Sequence, residues 1–365
     1  MKILVIARPY TFHGGIESAT AGLMRALVAH GHDVHRAGPG RQAPVPGVTE
    51  HRLRMPPLPS AVRGVALALA AAVVARRRGW DVVQSHERTL VQDVYRAGEG
   101  SHRAYLDAIG APAGRRLHHA VTLALERRVF ARTPQIVAIA RRGAQEITDR
   151  HGVPTGRLSV VYNGVDLDRF HPRLREQHRD AARSEAGIAG GGVFTVLFAG
   201  SGFERKGLAT AIRGLARLAD AHARLLVLGR GDPSPYRRLA ADLGVAARIV
   251  WLGARPDIER WYGAADALAL PTRYEPFGNV HLEALASGVP VVTSLVAGGA
   301  EVLNERCGAA VGADDAAGLA TALEKLRGRS VAEVRDAARA AAEPYTFTRQ
   351  VGALEDVYRR LGRNR

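Results

Sequence analysis

Short apolar runs recur along the chain, and between most of them lies a longer stretch with apolar residues at helical spacing. "KILVIA" (2–7) opens the series, and a helical pattern from about Ile16 to His30 follows. Then come "HDVHRAG" (32–38), a proline-rich loop (39–59), an alanine-rich helix (61–77) and "DVVQSH" (81–86). A second series begins at "TVLFAG" (195–200). It runs through a helix over 207–221, strand "ARLLVLG" (223–229), helix 235–243 and strand "RIVWLG" (248–253). Helix 257–263, strand "ADALALP" (265–271), helix 279–287 and strand "PVVTS" (290–294) complete it. Continuous apolar strands alternating with helices predict parallel sheets built from βαβ units.

The polar, turn-forming stretch "VYNGVDLDRFHPRLREQHRD" (161–180) separates the two series. The expected fold is therefore α/β, with two doubly wound, Rossmann-like domains over 1–168 and 169–344. Such sheets bind ligands at the C-terminal ends of their strands, so the expected active site is a cleft that both domains face. "PYTFTRQVGALEDVYRRL" (344–361) predicts an amphipathic helix. Residues 345–365 either cap the second domain or cross back onto the first.

Length and composition agree with two ordinary domains: 365 residues, 47% hydrophobic, with 40 glycines and 18 prolines. The single cysteine, Cys307, excludes a disulfide framework and a cysteine-based zinc site, and fits a reducing cytoplasm. "MKILVIARPY" reads as a first strand rather than a signal peptide. The longest apolar run, "GVALALAAAVVA" (64–75), falls short of the roughly 20 residues that span a bilayer.

The net charge of +16 is uneven. Residues 1–170 hold 24 Lys+Arg against 13 Asp+Glu, and residues 171–365 hold 27 against 22. Only three lysines occur (Lys2, Lys206, Lys325), so arginine is the default cation, but that does not explain the imbalance. The first half is expected to meet an acidic partner: nucleic acid, anionic lipid or a phosphorylated substrate. A basic nucleic-acid-binding protein is the rival of a different class, but no recognition motif supports it. Between 96 and 132 seven arginines face three acidic residues, interleaved with Tyr95, Tyr105, Leu106, Leu123, Leu125 and Phe130. That pattern predicts peripheral docking on the inner face of an anionic membrane.

Four loops at strand ends carry candidate chemistry. Gly14 and Gly15 let the backbone approach a phosphate or sugar at a helix N-terminus. In "FAGSGFERKGLATAI" (198–212), Arg205 and Lys206 are read at a helix start, where cations are unfavourable unless an anion such as a pyrophosphate binds. In "RYEPFGNVHLEALASGVPVV" (273–292), Glu275 precedes a helix and Glu283 lies within it. Gly278 sits at the turn between them, so the amides of Phe277, Gly278, Asn279 and Val280 can face a ligand. In "DVVQSHERTLVQDVYRAGEG" (81–100), His86 could orient a sugar hydroxyl or phosphate. The "DLD" at 166–168 lies in the seam rather than at a strand end, so no metal is expected there.

With these loops in place the chain resembles a two-domain glycosyltransferase of the GT-B fold, of the retaining family 4. The resemblance rests on "HGG" (13–15), "VYNGVD" (161–166), "GSGFERKG" (200–207) and "GARPDIERWYGAADALALPTRYEPFGNVHLEALASGVPVV" (253–292), with Glu275-x7-Glu283. "GFERKG" and "QDVYRAGEGSHRAYL" (92–106) further resemble bacterial glucosyltransferases of the lipopolysaccharide core. The resemblance implies that Arg205 and Lys206 bind the donor diphosphate and that Glu275, with the amides of Phe277 to Asn279, holds the donor sugar. It further implies Glu283 on the ribose, Arg255 against the base, Gly14 and Gly15 facing the diphosphate and acceptor, and His86 near an outer sugar hydroxyl. The nucleotide sugar, such as UDP-glucose, is then a co-substrate, with no cofactor or metal. With no metal expected, Arg205, Lys206 and the helix N-terminus near Val280 must absorb the leaving-group charge. A nucleotide-sugar epimerase of the same architecture is the near rival. A glycosidase built on Glu275 and Glu283 would leave the basic pair unexplained.

Overall fold

The structure is a computed structural model describing residues 1–8, 15–40, 43–110, 114–190 and 192–363. The chain divides into two compact units. One takes Ile16–Gly164, the strand ahead of it and the chain from Phe347 onward; the other takes Val165–Thr346.

In the first unit seven strands form one sheet: β1 (Lys2–Ile6), β2 (Asp33–Pro39), β3 (Val48–Leu53), β4 (Val82–Ser85), β5 (Val94–Arg96), β6 (Gln135–Ala138) and β7 (Leu158–Val160). Their order is β3-β2-β1-β4-β5-β6-β7, and every pairing is parallel. β1 is apolar at successive positions because helices cover both faces of the sheet. Ile3 and Val5 pack on Leu23, Met24 and Leu27 of helix Gly15–Ala29. Leu4 and Ile6 point the other way, onto Leu67, Ala71 and Val74 of helix Ser60–Ala75. β3 falls inside the stretch read as a proline-rich loop. It is a largely exposed edge strand, so it lacks the continuous apolar run that marks a buried one.

The C-terminal helix Phe347–Arg363 belongs to this first core. Val351, Leu354, Val357, Tyr358 and Leu361 form its apolar stripe and pack with β1 and helix Gly15–Ala29. Phe347 seats against two glycines: a Cβ at Gly22 would run into its ring, and one at Gly164 would lie 2.6 Å from its backbone. Part of the patch read as a docking face turns inward. Tyr95 and Phe130 meet edge to face, 5.6 Å apart, in a core with Val129 and Ile136, and Arg96 is buried. Aromatic area of that size stabilises most when it is fully covered.

The second unit holds β8 (Thr195–Ala199), β9 (Arg224–Leu228), β10 (Ile249–Gly253), β11 (Ala267–Leu270), β12 (Val291–Ser294) and β13 (Gly308–Val311). Their order is β10-β9-β8-β11-β12-β13, again all parallel. Val196 and Phe198 anchor its core against Ile212 and Leu215 of helix Leu208–Arg217 and against Leu319 and Leu323 of helix Ala316–Arg327. In each sheet the strand order reverses beside the first strand, between β1 and β4 and between β8 and β11. Loops leaving the C-terminal ends at such a reversal are where doubly wound sheets receive ligands.

Candidate active site

β8 and β11 are parallel neighbours, so the loops that follow them lie side by side. The Arg205 carbonyl accepts from the Arg273 amide at 2.9 Å and from Thr272 Oγ1 at 2.8 Å. Gly207, at φ 77°, closes the seam, since any Cβ there would run into the Pro271 carbonyl. The helix expected over 207–221 runs from Leu208 to Arg217, with Gly207 as its N-cap, and a separate turn, Phe203–Lys206, precedes it. Arg205 and Lys206 end that turn and stand immediately before the N-cap of helix Leu208–Arg217, where cations are unfavourable without an anion to offset them.

What holds the two cations is Glu275. Arg205 Nη1 donates to the Tyr274 carbonyl at 2.9 Å and to Glu275 Oε2 at 3.1 Å, and Lys206 Nζ donates to the same oxygen. Lys206 and Glu275 are both buried. Burial alone would raise the Glu275 pKa, but the charges of Lys206 and then Arg205 outweigh it and hold the pKa down to about 2. Two cations share one carboxylate, so the trio carries one unbalanced positive charge.

The backbone beyond Glu275 is fixed from its other side. The Gly298 amide donates to the Glu275 carbonyl at 2.9 Å and the Gly299 amide to that of Phe277 at 2.8 Å. Phe277 is fully buried and anchors the loop. Gly278, at φ 83°, turns the chain into helix Asn279–Ala286 and, as its N-cap, brings no side chain to cap it. The first-turn amides, from Asn279 and Val280, are of the kind that take anions and hydroxyls. His281 locks this turn from beneath. Burial pushes its pKa down to about 4, so the ring is neutral at neutral pH. The Gly278 carbonyl, 2.7 Å from Nδ1, can only accept, so Nδ1 carries the proton; Nε2 lies 2.9 Å from Thr293 Oγ1.

Glu283 is buried one helical turn further on, and burial raises its pKa. It accepts from Tyr262 Oη at 3.0 Å, and Tyr262 packs edge-on against Phe170. Arg255, after β10, pairs with Glu185 at 2.6 Å and Asp257 at 3.2 Å and lies 5.1 Å from the Trp261 ring. Those partners do not include Arg205, Lys206, Glu275 or Glu283.

In the first unit, Tyr358 Oη donates to Gln84 Oε1 at 2.7 Å. The Gln84 amide nitrogen then faces His86 Nε2 at 2.9 Å, which must accept. This relay assigns the imidazole proton to Nδ1. Burial and the nearby Arg96 charge press the His86 pKa well below its ordinary value, so the ring stays neutral. Gly14 lies outside the described residues; Gly15 is the first residue of helix Gly15–Ala29. Asp166, in the "DLD", accepts from the amides of Asp168 and Arg169 at 3.1 and 3.0 Å and so shapes a turn. Among the described residues no cluster of His, Cys, Asp and Glu could hold a metal.

The sequence reading missed Tyr262, His281, Thr272 and Gln84. Tyr262 meets Glu283, His281 meets Thr293, Thr272 meets the Arg205 carbonyl and Gln84 meets Tyr358, pairings that spacing along one segment does not reveal.

Two family models match the chain: glycosyl transferases group 1 over residues 193–329 and glycosyltransferase family 4 over residues 13–169. A D-inositol 3-phosphate glycosyltransferase of Xylanimonas cellulosilytica is 30% identical over 399 residues, covering 96% of this chain and 93% of that one. The chain belongs to glycosyltransferase family 4. It is thus a glycosyltransferase (EC 2.4), in a family that transfers with retention from nucleotide-sugar donors. An uncharacterised glycosyltransferase of Methanocaldococcus jannaschii is 31% identical over 173 residues, 46% of this chain and 44% of that one. A D-inositol 3-phosphate glycosyltransferase of Catenulispora acidiphila is 34% identical over 242 residues, 62% and 53% of the two chains. The match therefore spans about half the length of these two relatives.

Among solved structures, WaaG, a glycosyltransferase involved in lipopolysaccharide biosynthesis, superposes with a TM-score of 0.80 at 22% identity, over 96% of this chain and 99% of that one. HepE of Anabaena, solved with UDP and glucose, superposes with a TM-score of 0.73 at 18% identity, over 98% and 99%. At these identities the likeness is one of fold: this family 4 enzyme has the GT-B architecture of two Rossmann-like sheets.

Proposed function

We propose that this enzyme transfers a hexose from a UDP-sugar, UDP-glucose or a close relative, to a hydroxyl of a cell-envelope glycan or glycolipid of the lipopolysaccharide-core type. The observation that carries the proposal is the buried Lys206 and Arg205 on one Glu275 oxygen, beside helix Asn279–Ala286 with its glycine N-cap. The trio's surplus positive charge suits a departing nucleoside diphosphate, whose charge develops as the glycosidic bond breaks. Glu275, kept ionised, can accept hydrogen bonds from the donor sugar's hydroxyls, aided by the amides of Phe277 to Val280. Glu283, steadied by Tyr262, takes the ribose hydroxyls. Arg255 offers its guanidinium face to the base, Gly15 approaches the diphosphate and acceptor, and His86 donates from Nδ1 to an outer hydroxyl. The leaving phosphate oxygen then serves as base for the incoming hydroxyl on the same sugar face. HepE, solved with UDP and glucose, supports the base, and WaaG, involved in lipopolysaccharide biosynthesis, supports the acceptor class.

The first unit would take the acceptor while resting on a membrane. No helix among the described residues is long and apolar enough to cross one. Helix Ser60–Ala75 nonetheless exposes Val62, Leu69 and Val73 along one face and runs into the exposed Arg76, Arg77 and Arg78. An apolar face ending in cations suits the anionic inner surface of the cytoplasmic membrane.

A donor screen over UDP-, GDP- and ADP-sugars, by calorimetry and product release, tests the donor assignment. UDP-hexose turnover should exceed the others, and Lys206→Ala and Glu283→Ala should impair it. Normal turnover by both variants would sink the site assignment. Sedimentation should pull the protein down with anionic but not neutral vesicles, and Leu69→Asp should weaken that binding.

A further inference from the structure

Arg96, the last residue of β5, is 5% exposed, yet no carboxylate among the described residues pairs with it. Its Nη2 donates to Asn163 Oδ1, and its Nε has no partner. Other buried arginines are compensated. Arg36 pairs with Glu50 at 2.7 Å and Arg183 with Asp266 at 2.7 Å. The nearby Arg88 pairs with Glu99 and Glu126, and Arg8 with Glu87 and Glu99. Desolvation pushes the Arg96 pKa down to about 10, which leaves the group charged at neutral pH. A buried cation without a counter-charge is costly, and the guanidinium edge at Nε is left to donate.

The surroundings of Arg96 are polar and held in place. His86 follows β4 directly and Asn163 follows β7, so all three stand at the C-terminal edge of the sheet. Tyr358 and Gln84 orient His86 so that its Nδ1–H is a donor, as derived above. His86 and Arg96 thus both offer donors at this edge, while the carboxylates of the adjoining chain, Glu87, Glu99 and Glu126, are engaged by other arginines. An anion at this edge would supply the missing charge and accept from the Nε that lacks a partner.

We propose that Arg96, with His86 and Asn163, is a receptor for an anionic group, a phosphate or carboxylate, carried by the acceptor sugar. The inference rests on the proposed acceptor-binding role of the first unit, and it narrows the acceptor to a charged saccharide. A neutral sugar would leave the guanidinium unpaired and bind poorly.

The test uses the full chain saturated with UDP and titrated calorimetrically with glucose 6-phosphate, glucuronate and glucose. At least one anionic sugar should bind about ten-fold tighter than glucose or better, and the tighter of the two tells phosphate from carboxylate. Arg96→Met should abolish that preference, Arg96→Lys should keep part of it, and UDP affinity should change by less than about two-fold in either. Arg96→Met removes an uncompensated charge, so without ligand it should melt no lower than the parent protein. Equal binding of charged and neutral sugars would overturn the proposal, as would a preference that survives Arg96→Met. Mutual displacement of UDP and the anionic sugars would assign Arg96 to the donor diphosphate instead, and a large drop in melting temperature would assign it to the fold. Failure of the parent protein to bind UDP would count against the donor reading alone, and the same titrations without UDP would still judge Arg96.

Discussion

Tyr262 Oη lies 3.0 Å from Glu283 Oε2, and both side chains are buried. The bond steadies a carboxylate that burial would otherwise protonate more readily. Tyr262→Phe keeps the ring packed on Phe170 and deletes only the donor. UDP affinity should fall by about ten-fold while kcat at saturating donor changes less. Steady-state kinetics separates the two. A fall in kcat with unchanged KM would place Glu283 away from the nucleotide.

Lys206 and Glu275 hold each other in the interior, so removing one strands the other. Lys206→Ala should lower stability by about 3–5 kcal/mol, because it leaves the Glu275 carboxylate with only the half-exposed Arg205. It should also lower kcat by about 10²–10³. Adding Glu275→Gln should recover much of the melting temperature and none of the activity. Recovery of both would show that the pair is structural.

His281 gives stability a defined pH dependence. Its pKa is about 4 in the folded chain, against an ordinary value near 6.5. Between those values the unfolded chain binds a proton that the buried ring refuses, so stability falls as pH drops from 6.5 to 4. His281→Asn should reduce that slope by about 1.4 kcal/mol per pH unit, while His102, also held at about 4, keeps its share. Glu275 acts lower. Its stabilisation is complete above about pH 4.5 and is lost as pH falls toward 2. Denaturant melts across pH 3 to 8 would resolve both.

Gly22 leaves room for the Phe347 ring, where the chain re-enters the first core. Gly22→Ala should cost about 1–3 kcal/mol through overpacking, despite alanine's better helix propensity. The double variant with Phe347→Ala should regain part of that loss. Thermal melts of the three variants check the coupling.

The alternation of strands and helices was legible because parallel strands covered on both faces need unbroken apolar runs. "KILVI" and "TVLFA" meet that need directly. β3 escaped notice because an exposed edge makes no such demand. The separate turn Phe203–Lys206 was hidden too, and so was the need for glycine at 207, which comes from the Pro271 carbonyl on another strand's loop.

The sequence by itself determined which local segments carry chemistry: the glycine-bearing loop before Arg205 and Lys206, the two glutamates around a helix that follows a glycine, and an apolar stripe on the last helix. These are properties of spacing along one segment. Tertiary structure decided who meets whom. Lys206 reaches Glu275, 69 positions away, because β8 and β11 are neighbours at the point where strand order reverses. Tyr262 reaches Glu283 across 21 positions, and Arg96 pairs with no carboxylate among the described residues, while Glu99 and Glu126 pair with Arg88. Charge compensation in a low-dielectric interior depends on distances of a few ångströms, and those are set by strand order and packing rather than by separation along the chain.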